Sequence, residues 1–243
     1  MTLASTVPRS AWDEPDGATP RGTLVVVPGR GEQPAVYERF GRRLAADAYR
    51  VRVVPDPTLD EGRTLELLRA ALDGPGPHVL VGSDAGGLYA AGLVATGAVS
   101  VSALVLAGLP VAPPGHHGDE IAARTACPVH RARLADDAVL RPGAVAEPPP
   151  AGWLDRAVPA DVGVPVLGLH GADDVISPLE ESRHWYADVP GAELVAIAGG
   201  VHDALNDQTH RTAAATIVLF LERLRVAADA VALPVIARPE VLR

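Results

Sequence analysis

Short apolar runs bounded by turn residues recur along the chain, at residues 23–27, 50–54, 78–82, 103–107, 164–170 and 193–197. Their apolar positions are consecutive rather than alternating, as in strands covered on both faces. Between them lie segments with a helical period. Residues 35–48 place Tyr37, Phe40, Leu44 and Ala48 three or four positions apart, with Glu38, Arg39, Arg42 and Arg43 on the remaining surface. Residues 63–72, 87–96, 179–187 and 209–224 continue the series. Strand and helix therefore alternate. That order predicts an α/β fold, a mostly parallel sheet flanked by helices on both faces.

The alternation breaks between residues 110 and 164. This stretch is rich in proline, Pro148-Pro149-Pro150 included, and holds one short helical segment, 120–135. An insertion after a strand's carboxyl end sits over the ligand crevice of an open α/β sheet. It is expected to form a small lid within a single domain spanning 1–243. The proline-interrupted tail, 227–243, is expected to pack on the body or on a partner, which leaves room for a homodimer. Residues 85–114 carry no charge and are long enough to raise the question of a membrane span. Gly97, Ser100 and Ser102 divide them into an Ala/Leu-rich helix and a Val/Leu strand, so no span is expected.

Composition narrows the function classes. Apolar residues make up 48% of the chain, enough for a sizeable core, while aromatics at 4% leave Val, Leu and Ala to fill it. Every basic side chain is Arg. A net charge of -9 without a basic cluster argues against a nucleic-acid surface. Cys127 is the single cysteine, so neither an intramolecular disulfide nor a multi-cysteine metal site can form. A lone thiol fits a reducing, cytoplasmic location. The first 20 residues lack the apolar core with basic flanks of a signal peptide. His116, His117 and His130 fall in the lid without further ligands at metal-binding spacing. No metal and no cofactor is implied.

The strongest local signal is Val79-Leu80-Val81-Gly82-Ser83-Asp84-Ala85-Gly86-Gly87, followed by an apolar helix. A strand that enters a helix through a turn with glycine at both ends forces the middle residue into a strained conformation. It holds that side chain up at the sheet's carboxyl edge. The middle residue of Gly-x-nucleophile-x-Gly is Asp84; Ser83 takes the variable place. An ordinary strand–helix turn with Asp84 as N-cap is the alternative. Downstream, a strand ends in His170-Gly171-Ala172-Asp173-Asp174, and a loop carries Gly199-Gly200-Val201-His202-Asp203 before the last helix. The order nucleophile, acid, histidine places all three after strands, at one edge of the sheet. Asp173 competes with Asp174 for the acid, and His170 reads as structural.

With these residues the chain resembles the α/β-hydrolase superfamily, in particular its compact monoacylglycerol-lipase and lysophospholipase-like branch. Pro28-Gly29-Arg30-Gly31-Glu32 stands where that branch has His-Gly-x-Gly-Glu, and Gly171-Ala172-Asp173-Asp174-Val175-Ile176-Ser177-Pro178 matches its acid segment. The resemblance covers residues 22–224 apart from most of the lid. It implies a triad of Asp84, His202 and Asp174, with the acid at Asp174, and an oxyanion hole from the backbone N–H groups of Arg30 and Ala85. Aspartate at the elbow resembles the haloalkane and haloacetate dehalogenases and the epoxide hydrolases of the superfamily. The leading expectation is therefore a covalent ester on Asp84, formed from an epoxide or a C–halogen compound and hydrolysed by water that His202 activates. Ala85 is not the Trp or Arg that commonly binds halide, and the lid has no tyrosine to protonate an epoxide. Two alternatives stay open: an ester, thioester or lactone hydrolase, and a non-hydrolytic binding, isomerase or cyclase role. The expected partner is a small apolar molecule. In the lid, Trp153 and His130 are expected to line its pocket. The Arg30 guanidinium could also hold a substrate carboxylate.

Overall fold

The computed structural model describes residues 10–115 and 118–228. Seven strands alternate with helices: β1 Ala11–Trp12, β2 Thr23–Val27, α1 Glu38–Ala46, β3 Arg50–Val53, α2 Glu61–Ala71, β4 His78–Ser83, α3 Ala85–Ala95 and β5 Ala103–Ala107. After these come α4 Glu120–Arg124, α5 Pro128–Leu134, α6 Trp153–Arg156, β6 Val166–Gly171, α7 Leu179–Ala187, β7 Glu193–Ile197 and α8 His210–Ala228. The sheet order is β1-β3-β2-β4-β5-β6-β7. All pairs are parallel except β1 with β3.

Successive strand residues serve opposite faces of the sheet, which is why the strands read as unbroken apolar runs. Leu24, Val26, Val79 and Val81 pack toward Phe40, Leu44, Ile217 and Phe220 of α1 and α8. Val25, Val27, Leu80 and Leu104 pack toward Leu68, Leu88 and Trp185 of α2, α3 and α7. The uncharged stretch after the elbow is, as expected, one buried helix and one buried strand. Among the described residues no helix is long and apolar enough to cross a membrane.

One element is added to the expected set and one expectation is corrected. The edge strand β1 was not anticipated; two residues are too short to show a period. The lid segment at 120–135 is two helices, α4 and α5, not one. Pro128 disfavours helical geometry in the residue before it, and Thr125 is already extended at φ -152, ψ 141. The tail, expected to pack on the body or on a partner, lies outside the described residues from 229 onward, as do His116 and His117.

The chain winds outward from β2 to β3 on one side and then crosses to β4 on the other. That reversal lies between the carboxyl ends of β2 and β4, where open α/β sheets form their ligand crevice. The residues after β2 and β4 are Pro28-Gly29-Arg30 and Asp84.

Candidate active site

The strand–helix turn at β4 has the geometry that its glycines require. Asp84 adopts φ 48, ψ -131, and its side chain makes no capping bond to α3. The N-cap alternative is thereby set aside. A backbone held in so sparsely populated a region persists only where the surroundings impose it. A methyl on Gly86 would lie 2.3 Å from the Pro28 carbonyl oxygen and 2.5 Å from that of Val27. One on Gly82 would lie 2.4 Å from the Gly87 Cα. Backbone cannot yield as a side chain can. Gly86→Ala is therefore expected to cost at least about 1–3 kcal/mol, as overpacking does. Gly62→Ala in α2, whose nearest neighbour atom is 3.7 Å away, is expected to be neutral or stabilising. Comparing the two thermal midpoints with wild type checks this pair.

Three separated loops converge at the elbow. His202 Nδ1 hydrogen-bonds Asp174 Oδ2 at 2.9 Å. Asp174 Oδ1 accepts from the N–H groups of Ile176 and Ser177, each at 2.9 Å. His202 Nε2 stands 3.3 Å from Asp84 Oδ1, without the alignment of a hydrogen bond to any group among the described residues. Asp174 is buried while Asp173 is exposed, so of the two it is Asp174 that reaches His202. His170 is buried and bonds the Ser177 carbonyl at 2.6 Å, with Asp174 Oδ2 at 3.3 Å. It braces the acid loop.

The Arg30 guanidinium, expected to be available for a substrate carboxylate, is turned onto the protein's own elbow instead. The backbone N–H of Arg30 donates to Asp84 Oδ2 at 3.0 Å. Its guanidinium also turns onto the same carboxylate, Nε to Oδ2 at 2.7 Å and Nη2 to Oδ1 at 2.6 Å. The remaining nitrogen, Nη1, donates to the carbonyls of Val145 and Glu147 in the lid. Arg30 and Asp84 are 2% and 1% exposed, so this forked pair is shut away from solvent and screened little by salt. Ala85 opens α3, and its N–H belongs to the first turn, whose amides have no acceptor within the helix.

Charge follows from this packing. Burial works against ionisation of Asp84, but the Arg30 guanidinium and His202 outweigh it and hold the carboxyl well below its usual range. Burial likewise opposes a charged His202, yet Asp174 and Asp84 on either side push the imidazole up to about 10. At neutral pH the centre is thus two carboxylates, one guanidinium and one imidazolium, with no net charge.

The other expected site residues fall elsewhere. Trp153 is buried between α2 and α3; its ring lies 4.9 Å from that of Tyr89 and its Nε1 donates to Glu61 at 3.0 Å. This corrects its assignment to the substrate pocket: an indole between two helices has no face left for Asp84. His130, also expected in the pocket, is engaged by Asp203 Oδ2 at 2.9 Å, the residue that follows His202. Two cavities, of about 280 Å³ beside β3 and α2 and about 140 Å³ among α2, α3 and α6, are lined by neither Asp84 nor His202. Among the described residues no cluster of His, Cys, Asp and Glu could hold a metal ion. Sequence reasoning missed Asp56, which accepts from Gly31 N–H at 2.7 Å. Its signal was a carboxylate just past the carboxyl end of β3.

No protein-family model matches the sequence, and no curated protein matches it. Solved structures do. The chain superposes on a monoacylglycerol lipase from Paleococcus ferrophilus with a TM-score of 0.73 at 17% identity, covering 88% of this chain and 98% of that one. A soluble variant of the Saccharomyces cerevisiae monoglyceride lipase gives 0.72 at 16% identity, covering 92% and 98%. An esterase from Rhodococcus sp. ECU1013 gives 0.64 at 19% identity, covering 89% and 98%. At these identities the likeness establishes the fold: the chain has the α/β-hydrolase fold.

Proposed function

We propose that this chain is a hydrolase of small apolar carboxylic esters, thioesters or lactones, in which Asp84 acts as a proton acceptor rather than as a carbon nucleophile. One observation carries the reading: Arg30 engages both Asp84 oxygens, while His202 Nε2, 3.3 Å from Oδ1, makes no hydrogen bond among the described residues. Displacing a halide or opening an epoxide needs a bare carboxylate oxygen. Here Oδ2 already accepts two N–H groups and Oδ1 a third. The lipases and esterase among the similar structures also support an ester substrate over an epoxide or a C–halogen bond.

The resting charges suit a base and an acid on either side of a carbonyl. The lid residues Val145 and Glu147 lift from Arg30 to admit substrate, and the carbonyl oxygen takes over guanidinium donors from Asp84. Released from that cation, Asp84 becomes more basic. It accepts a proton from water as the water oxygen bonds the acyl carbon. The oxyanion that forms is held by the Arg30 guanidinium and by the N–H groups of Arg30 and Ala85. As the bond to the leaving oxygen breaks, His202 gives that oxygen its Nε2 proton. The proton on Asp84 then returns to Nε2 across the 3.3 Å gap. One water is consumed, and an acid and an alcohol leave. Asp174 remains ionised throughout and holds the Nδ1 proton.

Single-turnover hydrolysis of nitrophenyl butyrate in heavy-oxygen water tests this. The label is expected in the released acid and not in the enzyme. An Asp84 peptide carrying the label would overturn the reading in favour of a mixed anhydride, formed as Asp84 displaces nitrophenolate and opened by water at the Asp84 carbonyl. A second reading, non-hydrolytic binding, is favoured by the closure of the Arg30–Asp84 pair from solvent. Wild-type protein inert toward esters, epoxides and haloacids alike would decide for it.

A further inference from the structure

The proposed reaction leaves a second buried charge cluster unused. Arg124, at the end of α4, is fully buried together with Glu32, Asp203 and His130. Its Nη1 donates to Glu32 Oε1 at 3.0 Å and reaches Asp203 Oδ1 at 3.4 Å. Its Nη2 donates to the Arg30 carbonyl at 2.7 Å, and its Nε to Glu120 at 3.1 Å. In return the Asp203 N–H donates to the Arg124 carbonyl at 2.8 Å. Asp203 follows His202 directly. One guanidinium thus touches the loop that carries the Arg30 amide and the loop that carries His202.

The hydrogen bonds around residues 28–31 form a pattern. The 28–29 peptide gives its N–H to Glu32 Oε2 at 2.9 Å. The 30–31 peptide is gripped at both ends, its carbonyl by Arg124 and its N–H by Asp56. Between them, the 29–30 peptide has its carbonyl held by Glu32 N–H at 3.1 Å. Its own N–H, that of Arg30, is left to point at the elbow. A peptide plane whose two neighbours are fixed has little freedom to rotate.

We infer that Arg124 is a positioning residue: by holding the Arg30 carbonyl from the lid while pairing with Glu32 and Asp203, it aims the Arg30 N–H at the reacting oxygen and ties that aim to the His202 loop. The inference deepens the ester-hydrolase reading and rests on it for its kinetic consequence. Two planar nitrogens are needed to reach a carboxylate and a carbonyl together, which a lysine ammonium cannot reproduce.

The test is Arg124→Lys, which keeps the charge and loses the fork. With nitrophenyl butyrate, kcat is expected to fall about 10–100-fold while KM stays within about twofold, the mark of a donor that acts on the transition state. Hydrogen exchange at the Arg30 amide is expected to quicken by at least about tenfold, with exchange in β4 and β5 unchanged. Unchanged kcat and unchanged Arg30 exchange would overturn the inference and leave Arg124 as a charge balance alone. The exchange measurement needs no turnover, so a wild type inert toward esters would remove the ester reading and still leave Arg124 to be judged. Should the lysine variant fail to fold, Arg124→Gln with Glu32→Gln removes the charge mismatch, and its two readouts are compared with those of Glu32→Gln alone.

Discussion

Arg30→Met is expected to lower the unfolding free energy by about 3–5 kcal/mol at pH 7, the usual cost of removing one partner from a buried ion pair. Met fills much of the same volume, so the loss is electrostatic: Asp84 stays buried with only His202 to balance it, and the Val145 and Glu147 carbonyls lose their donor. The pH dependence separates this from a packing defect. In wild type the folded Asp84 carboxyl is held below its usual range. Its pairing therefore contributes stability above the unfolded value of about 3.9, lost as pH falls through the lower folded value. Without Arg30, burial dominates and pushes the carboxyl up. Acidification should then narrow the gap between variant and wild type. Arg30→Met with Asp84→Leu is expected to recover most of the loss, since no buried carboxylate remains at the elbow. Urea midpoints at pH 5 and pH 7 check all three outcomes. A gap that widens on acidification would refute the assignment.

Asp84→Asn is expected to cut kcat/KM for the ester by about 10²–10⁴-fold, the contribution of a positioned acid or base. It should also move the alkaline limb of the pH profile. The proposed reaction uses His202 as an acid, so wild-type activity should hold through neutral pH and decline toward about 10, where the imidazole loses its proton. With the Asp84 charge gone, one of the two carboxylates raising that value is lost, and the limb should fall toward the ordinary imidazole range. The same linkage acts on stability. A histidine whose folded value is raised contributes fully below about 6.5 and loses that contribution as pH climbs toward 10, by at most about 1.4 kcal/mol per pH unit. An activity that instead rises with pH through 6–7 would mean that His202 works deprotonated, as a base, and would return the covalent route to first place.

The two results bear on one physical point. A carboxylate at an elbow is a strong nucleophile only when little holds it, and here a guanidinium holds both oxygens. The strain at Asp84, at φ 48, is tolerated because crowding at Gly82 and Gly86 leaves the turn no other path. The fold therefore supplies the presentation, and the neighbouring loop decides what the presented group can do.

Much of this was legible in the chain. Consecutive apolar strand residues required two covered faces, so the doubly covered parallel sheet followed from local pattern. Gly82 and Gly86 marked the elbow because only glycine permits strand and helix to approach so closely. The order of Asp84, Asp174 and His202 after three strands announced their convergence, since parallel strands deliver their carboxyl ends to one edge. Tertiary structure alone decided the rest. Asp174 over Asp173 depended on which side chain turned inward. Trp153 lies away from Asp84 because Tyr89 of α3 and Glu61 of α2 hold its ring and its Nε1. The Arg30 fork on Asp84 and the Arg124 clamp join residues 54 and 94 positions apart. No periodicity encodes such pairs: a hydrophobic pattern records which face of an element is buried, whereas a buried charge finds its partner through the geometry of loops brought together only when the whole sheet has formed.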